Sequence, residues 1–177
     1  MSNGNEITTK YLPVVKQEQL TRLEETASDF YEICKINDLS PVTAIRRAGA
    51  MQSLRELLTP EIMKPVMALQ GSPLGFKTDK DFLREKDENG QRKKGPGYPV
   101  ETVRDVLIFA MGKGAQMINN EVNILANNPY LAKNFFFRKL DEVLGAENWK
   151  ITHEIPRVVK NRETGKTEGA LIKAKLS

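Results

Sequence analysis

The chain has 177 residues, of which 40% are hydrophobic and 28% charged, and its formal net charge is +4. These values are typical of one globular domain with a sizeable core, and no apolar run approaches the roughly 18 residues of a membrane helix. A single cysteine, Cys34, excludes an internal disulfide framework and is consistent with a reducing cytoplasm. Together with the one histidine, His153, it cannot supply the four ligands of structural zinc.

The N-terminal third of the chain predicts helices behind a loose arm. Residues 1–16 are polar, without a clear period and without the pattern of a signal peptide, so we expect a flexible arm. Apolar residues recur at three- and four-residue steps from Gln17 to about Ile36, which predicts a first helix. Ser40-Pro41 and Thr59-Pro60 each join an N-cap residue to a proline at the first helical position, and they predict two more helices. Pro65 is expected to bend or break the third helix.

The middle of the chain predicts an exposed segment followed by a strong helix. Residues 77–97 are the most polar stretch and contain several turn signals, so we expect an exposed, mobile loop or hairpin. Pro99 opens a helix with one wide apolar face that runs to about Met117. Ile108 and Phe109 fall outside that face, so we expect them to contact a second layer or another subunit.

A period of two residues then indicates a strand. Apolar residues alternate with others from Glu121 to Ala126. Asn127-Asn128-Pro129 predicts a turn, and residues 130–133 form a short extended piece. This change of period marks the passage from the helical part to the strand part of the chain.

The C-terminal part predicts a helix and a long hairpin. Asn134 is expected to cap a helix from Phe135 to Leu144, which Gly145 ends. The segments 149–160 and 169–176 predict two strands that are joined by a polar loop. The whole order, with helices first and then a small antiparallel sheet around a strand-helix-hairpin core, predicts one α+β domain over residues 17–177.

Signals of catalysis are weak, and we expect neither an enzyme nor a bound cofactor. His153 lacks a partner nucleophile and an orienting group. Gly112-Lys113-Gly114 lies late in a helix, and Gly165-Lys166-Thr167 lacks the first glycine of a nucleotide-binding loop, because Lys160 stands there. The acidic residues between 79 and 88 could hold a hard cation such as Mg²⁺, but a solvated loop of mixed charge explains them better.

Basic residues are concentrated in the last third of the chain. Residues 129–177 contain ten Lys/Arg and six Asp/Glu, whereas residues 1–128 are neutral overall. Such a local surplus is typical of proteins that bind a polyanion. The candidate residues for contacts with a polyanion are Lys133, Phe135, Arg138, Lys139, Lys160, Arg162 and Lys173.

Phe135 has two interpretations. An aromatic ring flanked by Lys133, Arg138 and Lys139 has the composition of a platform on which the bases of a single strand stack along a charged track. Alternatively, the ring packs beneath the preceding loop in the first turn of its helix. The sequence leaves both interpretations open.

The order of these elements resembles the core of the phage RecT/Red-beta family of single-strand annealing proteins. The resemblance rests on the helix of residues 103–117, the strand of residues 121–126, the stretch Tyr130-Leu131-Ala132-Lys133-Asn134-Phe135-Phe136-Phe137-Arg138-Lys139-Leu140 and the terminal hairpin. Upstream, Leu58-Thr59-Pro60 is similar to an early helix start in the family. Family members usually continue past this hairpin, so we expect either a small variant or a chain that lacks a C-terminal extension.

The resemblance implies a function without catalysis. Proteins of this family bind single-stranded DNA without ATP, assemble into rings or filaments, and pair complementary strands. It implies that the chain binds DNA through the cations named above and forms a homo-oligomer. It also implies a phage exonuclease or a host single-strand-binding protein as partner.

Two other functions stay open. A phage accessory protein that acts through protein–protein contacts would show no salt-dependent binding to single strands. A nuclease that uses the acidic 79–88 segment would require Mg²⁺ and would lose activity when Asp79 or Asp81 is replaced by alanine.

Overall fold

Helices come first along the chain, and most strands follow. The computed structural model describes residues 15–38, 40–153, 157–160, 167–171 and 174–176. The helices are α1 (Gln17–Lys35), α2 (Pro41–Leu57), α3 (Pro60–Ala68), α4 (Val100–Lys113) and α5 (Lys133–Leu144). The strands are β1 (Phe82–Lys86), β2 (Arg92–Lys94), β3 (Val122–Leu125), β4 (Asn128–Leu131), β5 (Ile151–His153), β6 (Arg157–Lys160), β7 (Thr167–Leu171) and β8 (Ala174–Leu176). The α+β class expected from the sequence is therefore confirmed.

Packing divides the chain into two compact units, with the boundary after Phe135, inside α5. The first unit ends at Phe135 and the second begins at Phe136. The single domain expected over residues 17–177 stays a prediction, because a division by packing does not by itself define what folds independently.

Two of the helix starts follow directly from capping chemistry. The Ser40 side chain accepts a 3.2 Å hydrogen bond from the backbone N–H of Thr43, and Pro41 occupies the first helical position of α2. The Thr59 side chain accepts in the same way from Ile62 at the start of α3. These bonds satisfy N–H groups that have no partner inside the helix, so both predicted starts are confirmed.

Pro65 does not end α3, which continues to Ala68. Pro65 is expected from the sequence to bend or break this helix, and a break at Pro65 is therefore wrong. Met63 is fully buried and Ile62 nearly so, and their burial stabilises the helix despite the hydrogen bond that proline cannot donate.

Helix α4 lies at the centre of the first unit and packs against α1, α2, α3 and β4. Its residues Val103, Val106, Ile108 and Ala110 are all buried. Each of the buried Val and Ile side chains stabilises the fold by about 1.5–3 kcal/mol relative to an exposed one.

Helix α4 ends at Lys113, four residues before the predicted end at Met117, and Gly114 is its C-cap residue. Gly114 has a φ of 65°, a left-handed conformation that glycine adopts without strain. The backbone N–H of Ala115 donates 2.8 Å to the carbonyl of Ala110, which closes the helix. Met117 is buried in the following loop, so its apolar character reflects the core and not the helix.

Strands β1 and β2 form an antiparallel hairpin whose residues are all exposed. An exposed loop or hairpin was expected over residues 77–97, and the exposed hairpin is confirmed for its strands, residues 82–86 and 92–94. Phe82 pairs with Lys94, and Lys86 pairs with Arg92, with an irregularity in β1 between the two pairs.

Strands β3 and β4 form a second antiparallel hairpin, in which Val122 and Ile124 point into the core. The turn lies at Ala126 and Asn127, with φ values of 50° and 64°. The predicted turn at residues 127–129 is therefore one residue too late. Two consecutive positive φ values are typical of the tight turn that joins paired strands with only two residues between them.

The second unit contains most of α5 and the terminal strands. Gly145, with a φ of 80°, follows the last residue of α5, as expected. Strand β5 pairs with β8 and β6 pairs with β7, all antiparallel, which confirms a terminal hairpin with the strand order that the sequence predicts.

Asn134 does not cap α5, because the helix begins one residue earlier, at Lys133. The Asn134 side chain instead donates a 2.7 Å hydrogen bond to the backbone carbonyl of Asn119. Asn119 has a φ of 55°, so the amide group of Asn134 stabilises a left-handed loop residue.

Candidate nucleic-acid interface

Two of the predicted DNA-binding cations share one carboxylate on α5. Arg138 forms an ion pair with Glu142, and the Lys139 ammonium lies 2.6 Å from the other Glu142 oxygen. The hydrogen bond from Lys139, followed by that from Arg138, holds the pKa of Glu142 below its ordinary value. Because three charged groups carry a net charge of +1, the cations attract a phosphate less than their number suggests.

Lys133 is exposed at the start of α5. Among the ion pairs of the described residues, none involves Lys133. A cation without a carboxylate partner can neutralise a phosphate without first breaking an ion pair. Lys133 is therefore the most available of the three predicted cations on this helix.

Phe135 lies in the core of the first unit, with only 8% of its surface exposed. A stacking role for this ring, one of the two interpretations of the sequence, is therefore wrong, because a base cannot reach its face. The buried position supports the other interpretation, in which the ring packs in the first turn of its helix. The three-residue spacing from Ala132, which is also buried, directs both side chains inward.

The most exposed aromatic ring of α5 belongs to Phe136, the next residue along the chain. Phe136 is 51% exposed, and it lies one helical turn before Lys139. Phe137 packs against Trp149 with 5.6 Å between ring centroids, and the Trp149 indole N–H donates to Asp141. The stacking interpretation of the sequence concerned Phe135, so the exposure of Phe136 was not predicted.

The terminal hairpin places Lys160 at the end of β6, where its backbone pairs with Thr167. Arg162 and Lys173 lie outside the described residues. Lys175, in β8, is exposed and pairs with Thr152 through the backbone. The roles expected for Lys160, Arg162 and Lys173 stay predictions.

The expected subunit contact at Ile108 is wrong, because Ile108 is fully buried in the core of its own unit. Helix α4 has packing partners on several sides, which explains why an apolar residue outside its main face is also covered. Phe109 is half-buried and lines an open cavity of about 230 Å³ together with Cys34 and Arg47. Its role as a subunit contact stays a prediction.

The β1–β2 hairpin separates its charges between two faces. Cross-strand partners lie on the same face, as do residues two apart in one strand, so Phe82 shares a face with Lys86, Arg92 and Lys94. Lys93 lies on the opposite face and is 3.6 Å from a carboxylate oxygen of Glu85. In the sequence Arg92, Lys93 and Lys94 are consecutive, and only the strand period of Arg92 and Lys94 could have indicated a common face.

The acidic residues proposed as a cation site form hydrogen bonds within the chain. One Asp79 oxygen accepts from the Tyr98 hydroxyl at 2.7 Å, and the other accepts from the backbone N–H of Ala126 at 3.0 Å. The backbone bond from Ala126, with the bond from Tyr98 second, lowers the pKa of Asp79. The two Asp81 oxygens accept from the backbone N–H and the hydroxyl of Thr78, each at 2.7 Å. A metal ion would have to compete with these donors.

Membrane and family comparisons add no further assignment. No helix in the described part of the chain is long and apolar enough to cross a lipid bilayer. Comparison of the chain with protein-family models, with curated proteins and with solved structures finds no match.

Proposed function

We propose that this protein binds single-stranded DNA without ATP and anneals complementary strands, in the manner of the phage RecT/Red-beta proteins that its sequence resembles. It acts in the cytoplasm as a homo-oligomer and performs no covalent chemistry. The observation that carries the proposal is the surface of α5, where the exposed ring of Phe136 lies one turn before Lys139, and Arg138 directly precedes Lys139 along the helix. We call these three residues the α5 surface.

The composition of the α5 surface matches the two parts of a nucleotide. Arg and Lys side chains neutralise phosphates and release counterions, which supplies affinity without sequence preference. An exposed aromatic ring stacks on any base, and such contacts are worth about 1–3 kcal/mol each. A strand held in this way keeps its base-pairing edges accessible, so a complementary strand can test successive registers.

Glu142 tunes the strength of this contact. It pairs with both cations of the α5 surface, so a phosphate has to displace one carboxylate to reach them. A single subunit therefore binds weakly and releases quickly. Side-by-side subunits convert weak contacts into a stable complex through their high effective concentration.

Partner proteins belong to the same proposal. A phage exonuclease would supply the single strands, and a host single-strand-binding protein would hold them before annealing. Phe109, half-buried beside a cavity of the first unit, is the candidate for the contact between subunits.

The binding step is tested by titrating a fluorescently labelled single strand of 20 thymidine nucleotides, dT20, with the protein. Fluorescence anisotropy measures the binding. We expect binding that weakens between 50 and 200 mM salt and weakens further in the variants Lys133→Ala, Arg138→Ala and Lys139→Ala. Lys64→Ala is the matched control, because Lys64 is an exposed lysine of a different helix, α3. Equal losses in Lys64→Ala and Lys139→Ala would contradict a role for the α5 surface, and no binding at low salt would contradict the proposed function.

The alternative of a protein-binding accessory factor is favoured by a different observation. An open groove of about 480 Å³ in the first unit is lined by apolar residues of α1, α3 and α4 and the residue that follows α2, among them Leu23, Leu58, Met63 and Leu107. Open apolar grooves of this kind often receive a partner side chain or helix. This alternative predicts that dT20 does not bind even at 50 mM salt.

A further inference from the structure

A basic cleft lies in the first unit, at the base of the β1–β2 hairpin. Its volume is about 440 Å³, which falls within the range of small-ligand sites of about 300–1,000 Å³. One wall comes from the end of α3 and the residues after it, including Met67 and Gln70. The other comes from the hairpin, through Phe82, Arg92 and Lys94.

The hairpin wall presents an aromatic ring beside available cations. Phe82 is 57% exposed although it is a large apolar residue, and its cross-strand partner is Lys94. None of the ion pairs in the described part of the chain involves Arg92 or Lys94. One face of the hairpin therefore carries the Phe82 ring with two cations that have no carboxylate partner among the described ion pairs. The other face carries Lys93, which is paired with Glu85.

The remaining wall is backbone that only glycine permits. A Cβ atom at Gly95 would lie 2.0 Å from the carbonyl oxygen of Lys80, and one at Gly97 would lie 2.3 Å from the side-chain nitrogen of Gln70. The absence of a Cβ atom at both glycines therefore lets this segment pack closely against its neighbours. Asp81 also lines the cleft, and both of its oxygens accept hydrogen bonds from Thr78.

We propose that this cleft binds one nucleotide of a single strand, with the base stacked on Phe82 and the flanking phosphates at Arg92 and Lys94. The inference rests on the proposed single-strand binding and adds a contact that is independent of the α5 surface. The ring complements the flat face of a base, and the two cations complement the phosphates on either side of it. Charge complementarity thus selects an anionic strand with aromatic bases over an uncharged or purely apolar occupant.

The stacking contact is tested with variants at two neighbouring positions of β1. Phe82→Ala should weaken binding of dT20 by about tenfold, whereas Leu83→Ala, which removes an exposed residue from the same strand, should change it less than twofold. Phe82→Trp should restore the affinity, because tryptophan also stacks. Thermal melts of each variant control for folding, since both positions are exposed.

An abasic strand of the same length separates stacking from phosphate contacts. If the ring stacks on a base, Phe82→Ala should weaken dT20 about tenfold but leave the abasic strand nearly unaffected. Equal losses on both strands would overturn the stacking assignment. Equal losses in Phe82→Ala and Leu83→Ala on dT20 would overturn it as well.

The cations are tested by the salt dependence of binding. Arg92→Ala and Lys94→Ala should each lower the slope of log affinity against log salt by about 0.7, while Lys93→Ala should leave it unchanged. The same slope change in all three variants would overturn the assignment of this face.

Two further outcomes distinguish a failure of the cleft proposal from a failure of the proposed function. Wild-type protein that does not bind dT20 would contradict the proposed function and the cleft together, whereas binding that is insensitive to every cleft variant would contradict the cleft alone. Free dTMP should compete with dT20 only at millimolar concentration, and competition at or below the Kd of dT20 would assign the cleft to a free nucleotide instead of a strand.

Discussion

The hydroxyl group of Tyr98 joins Asp79 to the turn between β3 and β4. It donates a 2.7 Å hydrogen bond to the Asp79 carboxylate and accepts a 2.9 Å bond from the backbone N–H of Asn127. The other Asp79 oxygen accepts from Ala126, so both left-handed residues of the turn are tied to this pair. Tyr98 is only 2% exposed, and its burial places the network at the edge of the core.

Replacing Tyr98 by phenylalanine should destabilise the first unit by about 1–3 kcal/mol, because the Asn127 N–H and the Asp79 carboxylate each lose a partner. Urea unfolding followed by circular dichroism measures this change. Tyr130→Phe is the control, since Tyr130 is 57% exposed and its loss should matter little. Equal destabilisation in both variants would contradict the role of the network.

Acid should weaken the same network. The folded-state pKa of Asp79 is lowered, so its contribution to stability is present above the unfolded value of about 3.9 and is lost as the pH falls through the lower folded value. We therefore expect Asp79→Asn to flatten the loss of stability below about pH 4. Unfolding midpoints between pH 2 and pH 6 measure this, and identical pH profiles for wild type and variant would refute it.

High pH should weaken the network through Tyr98, the hydrogen-bond partner of Asp79. Burial, opposed by the hydrogen bond from Asn127, raises the pKa of Tyr98 above its ordinary value. The contribution of a neutral Tyr98 is thus complete below the unfolded pKa of about 10 and is lost as the pH rises through the folded pKa. Spectrophotometric titration should show a tyrosine ionisation above the ordinary pKa, and Tyr98→Phe should remove it.

Glu142 should oppose DNA binding. Its replacement by glutamine frees Arg138 and Lys139 from their shared carboxylate, so we expect up to about fivefold tighter binding of dT20 at low salt. Glu147→Gln is the matched control, because it removes the same charge from an exposed position after α5. A gain of equal size in the control would mean that only net charge matters.

Variants of Ile108 and Phe109, two neighbouring apolar residues of α4, should distinguish a role in core packing from a role in subunit assembly. Ile108→Ala should cost about 2–5 kcal/mol of folding stability, because Ile108 is fully buried. Phe109→Asp should reduce oligomer size in light scattering while the protein remains folded. An unchanged size in the Phe109→Asp variant would contradict its role as a subunit contact.

Local signals in the sequence predicted much of the fold. The capping residues Ser40 and Thr59 and the glycine after Leu144 fix helix ends through backbone chemistry that depends only on neighbours. The end of α4 was predicted too late because Met117 continues the apolar pattern, although Gly114 ends the helix. Apolar periodicity reports burial, and burial continues past the end of a helix.

The candidate site was harder to predict, because exposure depends on tertiary packing. Phe135 and Phe136 are adjacent and chemically identical, yet one is buried and the other exposed. The pairing of Arg138 and Lys139 with Glu142 depends on rotamers that helical spacing allows but does not impose. The face shared by Phe82 and Lys94 requires the hairpin register, which the interleaved charges of the sequence conceal.

The central claim is tested most directly by an annealing assay without ATP. Two complementary labelled strands are mixed, and fluorescence energy transfer between the labels measures duplex formation. The account predicts that the protein accelerates duplex formation over protein-free DNA at 50 mM salt, that higher salt reduces the acceleration, and that the triple variant of Lys133, Arg138 and Lys139 to alanine reduces it further. Duplex formation at the protein-free rate, under conditions in which the protein is folded, would contradict it.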